Sequence, residues 1–400
     1  MLKYELKKVF LKRTNQIILT IVFLIAIMGG FLAIRSVRYI DTEGEVHIGM
    51  MSGRRLSGDK NRWKGELKPE QIKEVVSSIR EMVQKYPEEV PDSEYGKTMQ
   101  SYGDISDFVI GILTPDSEWD DSVLYQLPEE QVADIYDIYQ NNMKRMSEEY
   151  GTTPEKKEFL QKQYKKIGMP IFYEAKTSWD ALLMYTQTYV IILAIVVGFL
   201  ATRTFSEEFH RGTEEVFFSA KYGRSKAIKS KIVAGILMTT SVYWVGMGIL
   251  ILFGVGVMGT SGFSTLYQIS DPYSIYVMTY GEYYLLMLLG GYIASLFSTV
   301  LTMYLTVKMH TPNIAIGIPF FLFCMLPFIG RALPTFATFF DIMPSVFSNV
   351  IEYVKKPLIF QIGGIVFRQL PFIMLLYSIL FIAILPFVYT SYRRYGMQKN

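Results

Sequence analysis

The sequence predicts an α-helical integral membrane protein with six transmembrane helices and a mainly helical extracytoplasmic domain between helices 1 and 2. Half of the 400 residues are hydrophobic, and the mean hydropathy is positive at +0.22. The apolar residues are gathered into long charge-free runs, which are typical of segments that cross lipid. Charge is segregated as well, because residues 36–178 carry a net charge of −8 and the rest of the chain carries +11.

The N-terminal segment, residues 1–16, is predicted to form a cytoplasmic amphipathic helix. Leu2, Leu6, Val9 and Phe10 fall on one side of such a helix, and the lysines lie elsewhere. This pattern suits a helix that lies in the membrane interface, although a plain basic anchor fits the same residues equally well. No small-x-small cleavage site follows the apolar run after it, so we predict a retained first helix rather than a signal peptide.

Six charge-free stretches come close to or exceed the roughly 20 residues that an α-helix needs to cross a bilayer. They are TM1 (17–34), TM2 (181–202), TM3 (232–258), TM4 (283–307), TM5 (311–330) and TM6 (369–392). TM5 opens with Thr311 and Pro312, a cap followed by proline at the first helical position. It also contains Pro319 and Pro327, so we expect it to be bent.

A seventh apolar run, residues 357–367, is too short to span a bilayer. It carries the pair Gly363 and Gly364 and lies within a predicted outer loop, residues 331–368. We expect it to form a re-entrant or interfacial segment, because irregular backbone at membrane depth is tolerated only where protein or water covers it.

Lysine and arginine in the short loops predict the orientation of the chain. One set of segments carries 16 of these residues: 1–16, 203–231, 308–310 and the tail 393–400. The opposite set, 259–282 and 331–368, carries 4. Since basic loops face the cytoplasm, we predict a multi-pass protein of the cytoplasmic (cell) membrane with both termini cytoplasmic and residues 35–180 outside.

The extracytoplasmic domain, residues 35–180, is long enough to bury a core of its own. Amphipathic patterns predict helices that begin at Pro69, Pro128 and Pro154. Residues 43–49 and 63–67 could pair as strands, and the single cysteine, Cys324, provides no disulfide. The acidity of the domain has two interpretations: capture of a cationic ligand such as a basic peptide, or a solvated surface, which charge runs usually form.

The loop at residues 203–231 contains more than the basic residues of a topology anchor. Thr213 can cap a short helix whose first turn holds Glu214, where a carboxylate complements the exposed backbone N–H groups. Val216 and Phe217 then give this helix an apolar face with no partner inside the loop. An exposed face of this kind typically docks on another protein.

The same loop carries a spaced pattern of single residues. It consists of Phe205, Glu208, Gly212, Thr213, Arg224 and Lys231. The pattern, together with six spans and an amphipathic N-terminal helix, resembles the permease (transmembrane) subunits of ABC-2 type ATP-binding-cassette exporters. The resemblance implies that the loop is a cytoplasmic coupling loop and touches an ATP-binding subunit. The contact residues that it implies are Phe205, Glu208, Gly212, Thr213, Glu214, Val216, Phe217 and Arg224.

The resemblance also implies the partners and the cargo. A second permease, identical or related, would complete the transporter within the membrane lipid, and no nucleic acid is expected. ATP and Mg would be bound by the partner subunit, since this chain has no G-x-x-x-x-G-K-[ST] loop. We therefore predict a transport subunit rather than an enzyme, with no catalytic, cofactor or metal site of its own.

The leading hypothesis is a permease subunit that exports a peptide, antibiotic or lipid-like substrate across the cytoplasmic membrane. The spans lack charged residues near their centres, which argues against an ion-coupled carrier. Two alternatives stay open. In one, the ATP-binding partner drives mechanotransmission or sensing without transport. In the other, the chain is a membrane receptor or scaffold without ATP coupling.

Overall fold

The computed structural model describes residues 1–115, 119–309 and 312–394. The helices of residues 1–176 are α1 (Leu2–Leu11), α2 (Arg13–Ser36), α3 (Ser52–Lys60), α4 (Pro69–Lys85), α5 (Asp92–Glu94), α6 (Gln100–Leu113), α7 (Val123–Gln126), α8 (Glu129–Ala133), α9 (Ile135–Glu149) and α10 (Pro154–Tyr164). The later helices are α11 (Thr177–His210), α12 (Glu214–Ser219), α13 (Ile228–Met258), α14 (Tyr280–Met309), α15 (Pro312–Phe320), α16 (Leu326–Ala332), α17 (Ala337–Phe340), α18 (Val350–Lys355) and α19 (Gln369–Arg394). The strands are β1 (Arg38–Ile40), β2 (Val46–Ile48), β3 (Gly65–Glu66), β4 (Phe172–Tyr173), β5 (Ile359–Ile362) and β6 (Ile365–Arg368).

Five helices of the described chain are long and apolar enough to cross a membrane: α2, α11, α13, α14 and α19. The most apolar stretch of α14 is 61% buried, whereas that of α19 is 17% buried. A helix that is apolar all round and buried by its neighbours lies at the centre of a bundle, so α14 is central and α19 peripheral. The prediction of an α-helical, multi-pass membrane protein is confirmed at this level.

The fifth predicted span, residues 311–330, is followed by a sharp break just past its predicted end. Gly317–Ala332 and Pro334–Phe340 meet at an angle of 116°. The helix passes through Pro319 and breaks at Leu333, because the residue before a proline is driven away from helical backbone angles. Counting this pair as one span gives six, which stays a prediction. The expected cap Thr311 lies outside the described residues.

The apolar run at residues 357–367 forms most of a β-hairpin, and a re-entrant or interfacial position for it stays a prediction. Strands β5 and β6 pair antiparallel across Gly363 and Gly364, whose φ angles are 54° and 84°. Positive φ at both central residues is what a tight two-residue hairpin turn requires. The hairpin lies beside the region between α2 and α11, where the Thr153 hydroxyl donates to Gln361 Oε1 over 2.8 Å.

Residues 37–176, between α2 and α11, are called the inserted domain below. Helix α4 begins at Pro69 as expected and buries Ile72, Val75, Val76 and Ile79. The helix expected from Pro128 is divided at Asp134 into α8 and α9. The third, α10, begins at Pro154 as expected. Helices α3 and α6 have no counterpart in the prediction.

The two segments expected to pair as strands do not pair with each other. Strand β2 pairs with β1 in a local hairpin, and β3 pairs with β4 from the far end of the inserted domain. The first pairing closes a short loop, which costs little entropy, and the second joins the two ends of the domain. The inserted domain is thus mainly helical with two small two-stranded sheets.

A buried ionic network joins the inserted domain to the start of α11. The Asp104 carboxylate accepts from Lys60 Nζ at 2.7 Å and from the Tyr173 hydroxyl at 2.9 Å, and Lys176 Nζ lies 3.5 Å away. Lys176 Nζ also lies 2.6 Å from Asp180 Oδ2 on α11. Burial raises the pKa of Asp104, but the ammonium groups of Lys176 and Lys60 outweigh it and hold this pKa well below its usual range.

The inserted domain also rests on the connection between α13 and α14. The Tyr139 hydroxyl donates to the Pro272 carbonyl, and the Tyr164 hydroxyl donates to the Tyr273 carbonyl over 3.1 Å. Further along, Arg54 donates to the Gly256 carbonyl at 3.0 Å. These contacts attach the domain to one end of the helical bundle at several separate points.

Asp104→Asn is expected to lower the free energy of unfolding by about 3–5 kcal/mol, because it leaves buried ammonium groups without their charge partner. Thermal unfolding of the purified chain in detergent, followed by tryptophan fluorescence, measures this. The loss should be present at both pH 5 and pH 8, since the contribution of a carboxyl with a lowered pKa is complete above its unfolded pKa of about 3.9.

Asp107→Asn is the matched control on the same helix. Desolvation and the charge of Asp104 raise the pKa of Asp107 to about 6, but the side chain is exposed and water screens its charge. A carboxyl with a raised pKa destabilises the folded state as pH rises through that value, so Asp107→Asn should raise the unfolding temperature slightly at pH 8 and less at pH 5. Equal losses from the two variants would contradict the described network.

Candidate functional site

The ammonium group of Lys231, near the start of α13, is completely buried. Its side chain has 0% exposure, and Nζ lies 2.8 Å from Glu208 Oε1. The same nitrogen donates to the Thr204 carbonyl at 2.7 Å and lies 3.5 Å from Glu5 Oε2. A charge in such a place is tolerated only when it is paired and hydrogen-bonded. Two positions of the sequence pattern, 23 residues apart, therefore form one ion pair.

Glu208 connects this pair to two further elements. The Tyr392 hydroxyl on α19 donates to Glu208 Oε2 over 3.1 Å. Lys8 Nζ on α1 lies 3.7 Å from Glu208 Oε1 and 3.3 Å from Glu5 Oε1. The five residues Glu5, Lys8, Glu208, Lys231 and Tyr392 are called the Lys231 cluster below. They bring α1, α11, α13 and α19 together at the end of the bundle opposite the inserted domain.

Aromatic rings enclose the Lys231 cluster. The ring centroids of Phe205, Phe217 and Phe218 lie 5.1, 5.9 and 5.1 Å from that of Tyr392, all edge to face. Lys231 Nζ lies 5.5 Å from the Phe217 centroid, within reach of a cation–π attraction. The rings keep water from the ion pair, and electrostatic attraction is stronger where water is excluded.

Helix α1 folds back onto the bundle through a second set of bonds. The chain is extended at Lys12 between α1 and α2. Asn15 Nδ2 donates to the Val9 carbonyl at 2.9 Å, and Arg203 Nη1 donates to Asn15 Oδ1 at 2.9 Å. The apolar side of α1 packs on α13 and α11, with Glu5 buried among it, and the predicted position in the membrane interface stays a prediction.

Helix α12 projects beyond the cluster. Gly212 has φ of 62°, a left-handed backbone that favours glycine and lets the chain reverse from α11 into α12. The Thr213 side chain does not cap α12 and instead lies 3.5 Å from the Glu208 carbonyl, which corrects the expected cap. Val216 is 73% exposed. Glu214 Oε2 is buried without a hydrogen-bond partner among the described residues.

The eight predicted contact residues divide into three groups in the structure. Phe205 and Glu208 are buried within the chain, and their contact with a partner stays a prediction. Phe205 helps to enclose the Lys231 cluster, and the Glu208 carboxylate neutralises the Lys231 ammonium group. Glu214, Phe217 and Arg224 are half-buried, and Gly212, Thr213 and Val216 are exposed. Arg224 is held in place by a bond from Nη1 to the Arg393 carbonyl at 2.7 Å.

Sequence reasoning missed Glu5, Lys8 and Tyr392 as members of the site. Glu5 left a signal, since it is the single acidic residue of positions 1–16 and lies on the apolar side between Leu2 and Val9. A lone carboxylate on a face that becomes buried requires a cation, and Lys231 provides it. Tyr392 left no such signal in a helix rich in aromatic residues.

The Lys231 cluster is a joint between α1, α11, α13 and α19. Among the described residues, no group of three or more metal-binding side chains comes together. No family model, curated protein or solved structure matches the chain. The function must therefore be argued from what the joint connects and what it leaves exposed.

Lys231→Met is expected to lower the free energy of unfolding by about 3–5 kcal/mol, because it leaves the carboxylates of Glu5 and Glu208 buried without their main partner. Adding Glu208→Gln should cost less in this background than in the wild-type chain, since coupled residues are not additive. Thermal unfolding of the four chains in detergent gives the coupling energy.

Lys229→Met is the control for this cycle. Lys229 lies on the same helix as Lys231 and is exposed, so its loss should change the unfolding temperature little. Strictly additive effects of Lys231→Met and Glu208→Gln, or an equal loss from Lys229→Met, would show that the ion pair does not hold this end of the bundle together.

Proposed function

We propose that this chain is the permease subunit of an ATP-driven exporter of the ABC-2 type. The observation that carries the proposal is the Lys231 cluster, which ties an exposed short helix to four longer elements. A partner that pushes on α12 or α1 would thereby move α11, α13 and α19 together. That motion would open or compress a path between two permease copies.

The length of α11 supports a lever of this kind. It has 34 residues and is about 50 Å long, whereas the hydrocarbon core of a bilayer is about 30 Å thick. Its last turns, which carry Phe205 and Glu208, lie beyond the apolar stretch. In the proposed complex these turns stand above the membrane surface on the cytoplasmic side, where ATP is available.

The exposed features of α12 describe the partner surface that would meet it. Val216 offers an apolar contact, and the exposed carboxylate of Glu215 beside it offers a hydrogen-bond acceptor. An ATP-binding subunit with a shallow apolar groove and a basic donor at its edge complements both. ATP and Mg stay on that subunit, because this chain has no phosphate-binding loop.

The proposal includes an orientation and a cargo. The distribution of Lys and Arg places both termini and residues 203–231 in the cytoplasm and the inserted domain outside. The transporter would lie in the cell membrane with a second permease, identical or related. The cargo class is a peptide, an antibiotic or a lipid-like molecule.

A second candidate is mechanotransmission without transport. The observation in its favour is the ionic network of Asp104, Lys176 and Asp180, which ties the inserted domain to the start of α11, while the Lys231 cluster lies at the other end of the same helix. ATP-driven motion could then act on the inserted domain itself. Cargo-stimulated ATPase activity without cargo movement in sealed vesicles distinguishes this function.

A receptor or scaffold without ATP coupling would yield no ATP-binding subunit at all.

Val216→Asp is expected to abolish recovery of an ATP-binding subunit when the chain is affinity-purified from native membranes in mild detergent. A charge at the centre of an apolar contact is desolvated without a partner, which costs several kcal/mol. Since Val216 is 73% exposed, the variant should keep the unfolding temperature of the wild-type chain.

Val46→Asp is the matched control, because Val46 is the same residue type, 49% exposed, on β2 of the inserted domain. It should leave the recovery unchanged. The proposal fails if the wild-type chain brings down no ATP-binding subunit in several detergents, or if the subunit is recovered equally with Val216→Asp.

A further inference from the structure

The inserted domain contains a cavity of about 590 Å³ between α9 and α10. This volume falls within the roughly 300–1,000 Å³ of small-molecule sites. Its inner wall is apolar, since Met143, Tyr164 and Ile167 are buried, and Met169 closes one side. The Tyr164 hydroxyl is turned away, because it donates to the Tyr273 carbonyl. The cavity therefore presents mainly carbon and sulfur atoms at its base.

The rim of the cavity is cationic. Lys144 on α9 and Lys165 at the end of α10 line it, and no carboxylate is among the lining residues of the described chain. Neighbouring lysines of the same helix are neutralised, as Lys157 pairs with Glu148 and Lys162 pairs with Glu158. Lys144 and Lys165 form no ion pair within the part of the chain that the structure describes.

The sign of this rim is opposite to that of the domain around it. Residues 36–178 carry a net charge of −8, which repels anions in general. Lys144 and Lys165, which form no ion pair among the described residues, make the cavity mouth a local exception. Such a cavity mouth attracts anionic ligands and disfavours cationic ones, and unfavourable charge pairs of this kind exclude wrong partners.

We propose that this cavity binds an amphipathic anion, with its apolar body on Met143, Tyr164 and Ile167 and its phosphate or carboxylate group between Lys144 and Lys165. Gln140, Ser147 and Gln161 also line the cavity and supply neutral hydrogen-bonding groups. The ligand has the opposite charge to the basic peptide that the overall acidity of the domain suggests. The inference does not depend on an ATP-binding partner.

The test uses the full chain in phosphatidylcholine nanodiscs, with isothermal titration of three probes: octyl phosphate, octyltrimethylammonium and inorganic phosphate. Empty nanodiscs supply the correction for partition into lipid. Octyl phosphate should bind saturably at one site per chain, and the other two probes should bind at least tenfold more weakly. Equal binding of the cationic probe, or no saturable binding of octyl phosphate, would overturn the proposal.

Charge reversal locates the site. Lys144→Glu with Lys165→Glu should weaken the binding of octyl phosphate at least tenfold. Lys162→Glu with Lys166→Glu changes the net charge equally on and just after α10, outside the lining, and should leave binding unchanged. Equal weakening by both pairs would mean general attraction to the surface and would also overturn the proposal. Thermal unfolding of each variant shows that it is folded.

The same variants distinguish the two sources of such a ligand. Mass spectrometry of the chain purified from native membranes shows whether an acidic phospholipid is retained. Retention by the wild-type chain that is lost in Lys144→Glu with Lys165→Glu supports the proposal with a membrane lipid as the source. Octyl phosphate binding without any retained phospholipid supports it with a soluble amphiphile.

Discussion

The buried ammonium group of Lys231 sets the arrangement of one whole end of the molecule. In a water-poor interior, a cation is stable only if carboxylates reach it, and these come from Glu208 on α11 and Glu5 on α1. The Tyr392 hydroxyl on α19 also donates to Oε2 of Glu208. One charge thus gathers partners from three other elements. Helix α12 is attached to them through Phe217 and Phe218, whose rings pack against Tyr392.

Helix α11 links this end to the other. Between Asp180, which belongs to the ionic network under the inserted domain, and Arg203, which bonds to Thr14 and Asn15 at the start of α2, its sequence contains no charged residue. An uninterrupted apolar helix with ionic anchors at both ends transmits displacement along its axis, because its backbone hydrogen bonds resist bending without a proline or other break. Helix α11 thus connects the loop with the inserted domain, and the proposed mechanotransmission requires such a connection.

The features of the fold that depend on long uniform sequence patterns could be predicted from the sequence. Helix α19 begins at Gln369 as predicted, because an apolar run of bilayer length is a strong signal. The helical extension after Arg203 was not foreseen, since charged residues there conceal a helix that is stabilised only by its tertiary partners. The residue pattern of the loop included Glu208 and Lys231, but it did not indicate that they form an ion pair. Glu5, the second carboxylate near Lys231, comes from a distant segment of the chain. The hairpin turn, the strand pairings and the cavity all depend on positive backbone angles or on packing between helices, neither of which a periodic pattern contains.

The proposed coupling requires that the loop at residues 203–231 and the inserted domain lie on opposite sides of the membrane, with the loop in the cytoplasm. Cysteine accessibility tests this directly. Cys324→Ser removes the native thiol, and Val216→Cys or Val46→Cys then places one exposed thiol at either end of the molecule. A membrane-impermeant maleimide should label Val46→Cys in intact cells and Val216→Cys only after permeabilisation. Labelling of Val216→Cys in intact cells would place the loop away from ATP and would contradict the proposed coupling.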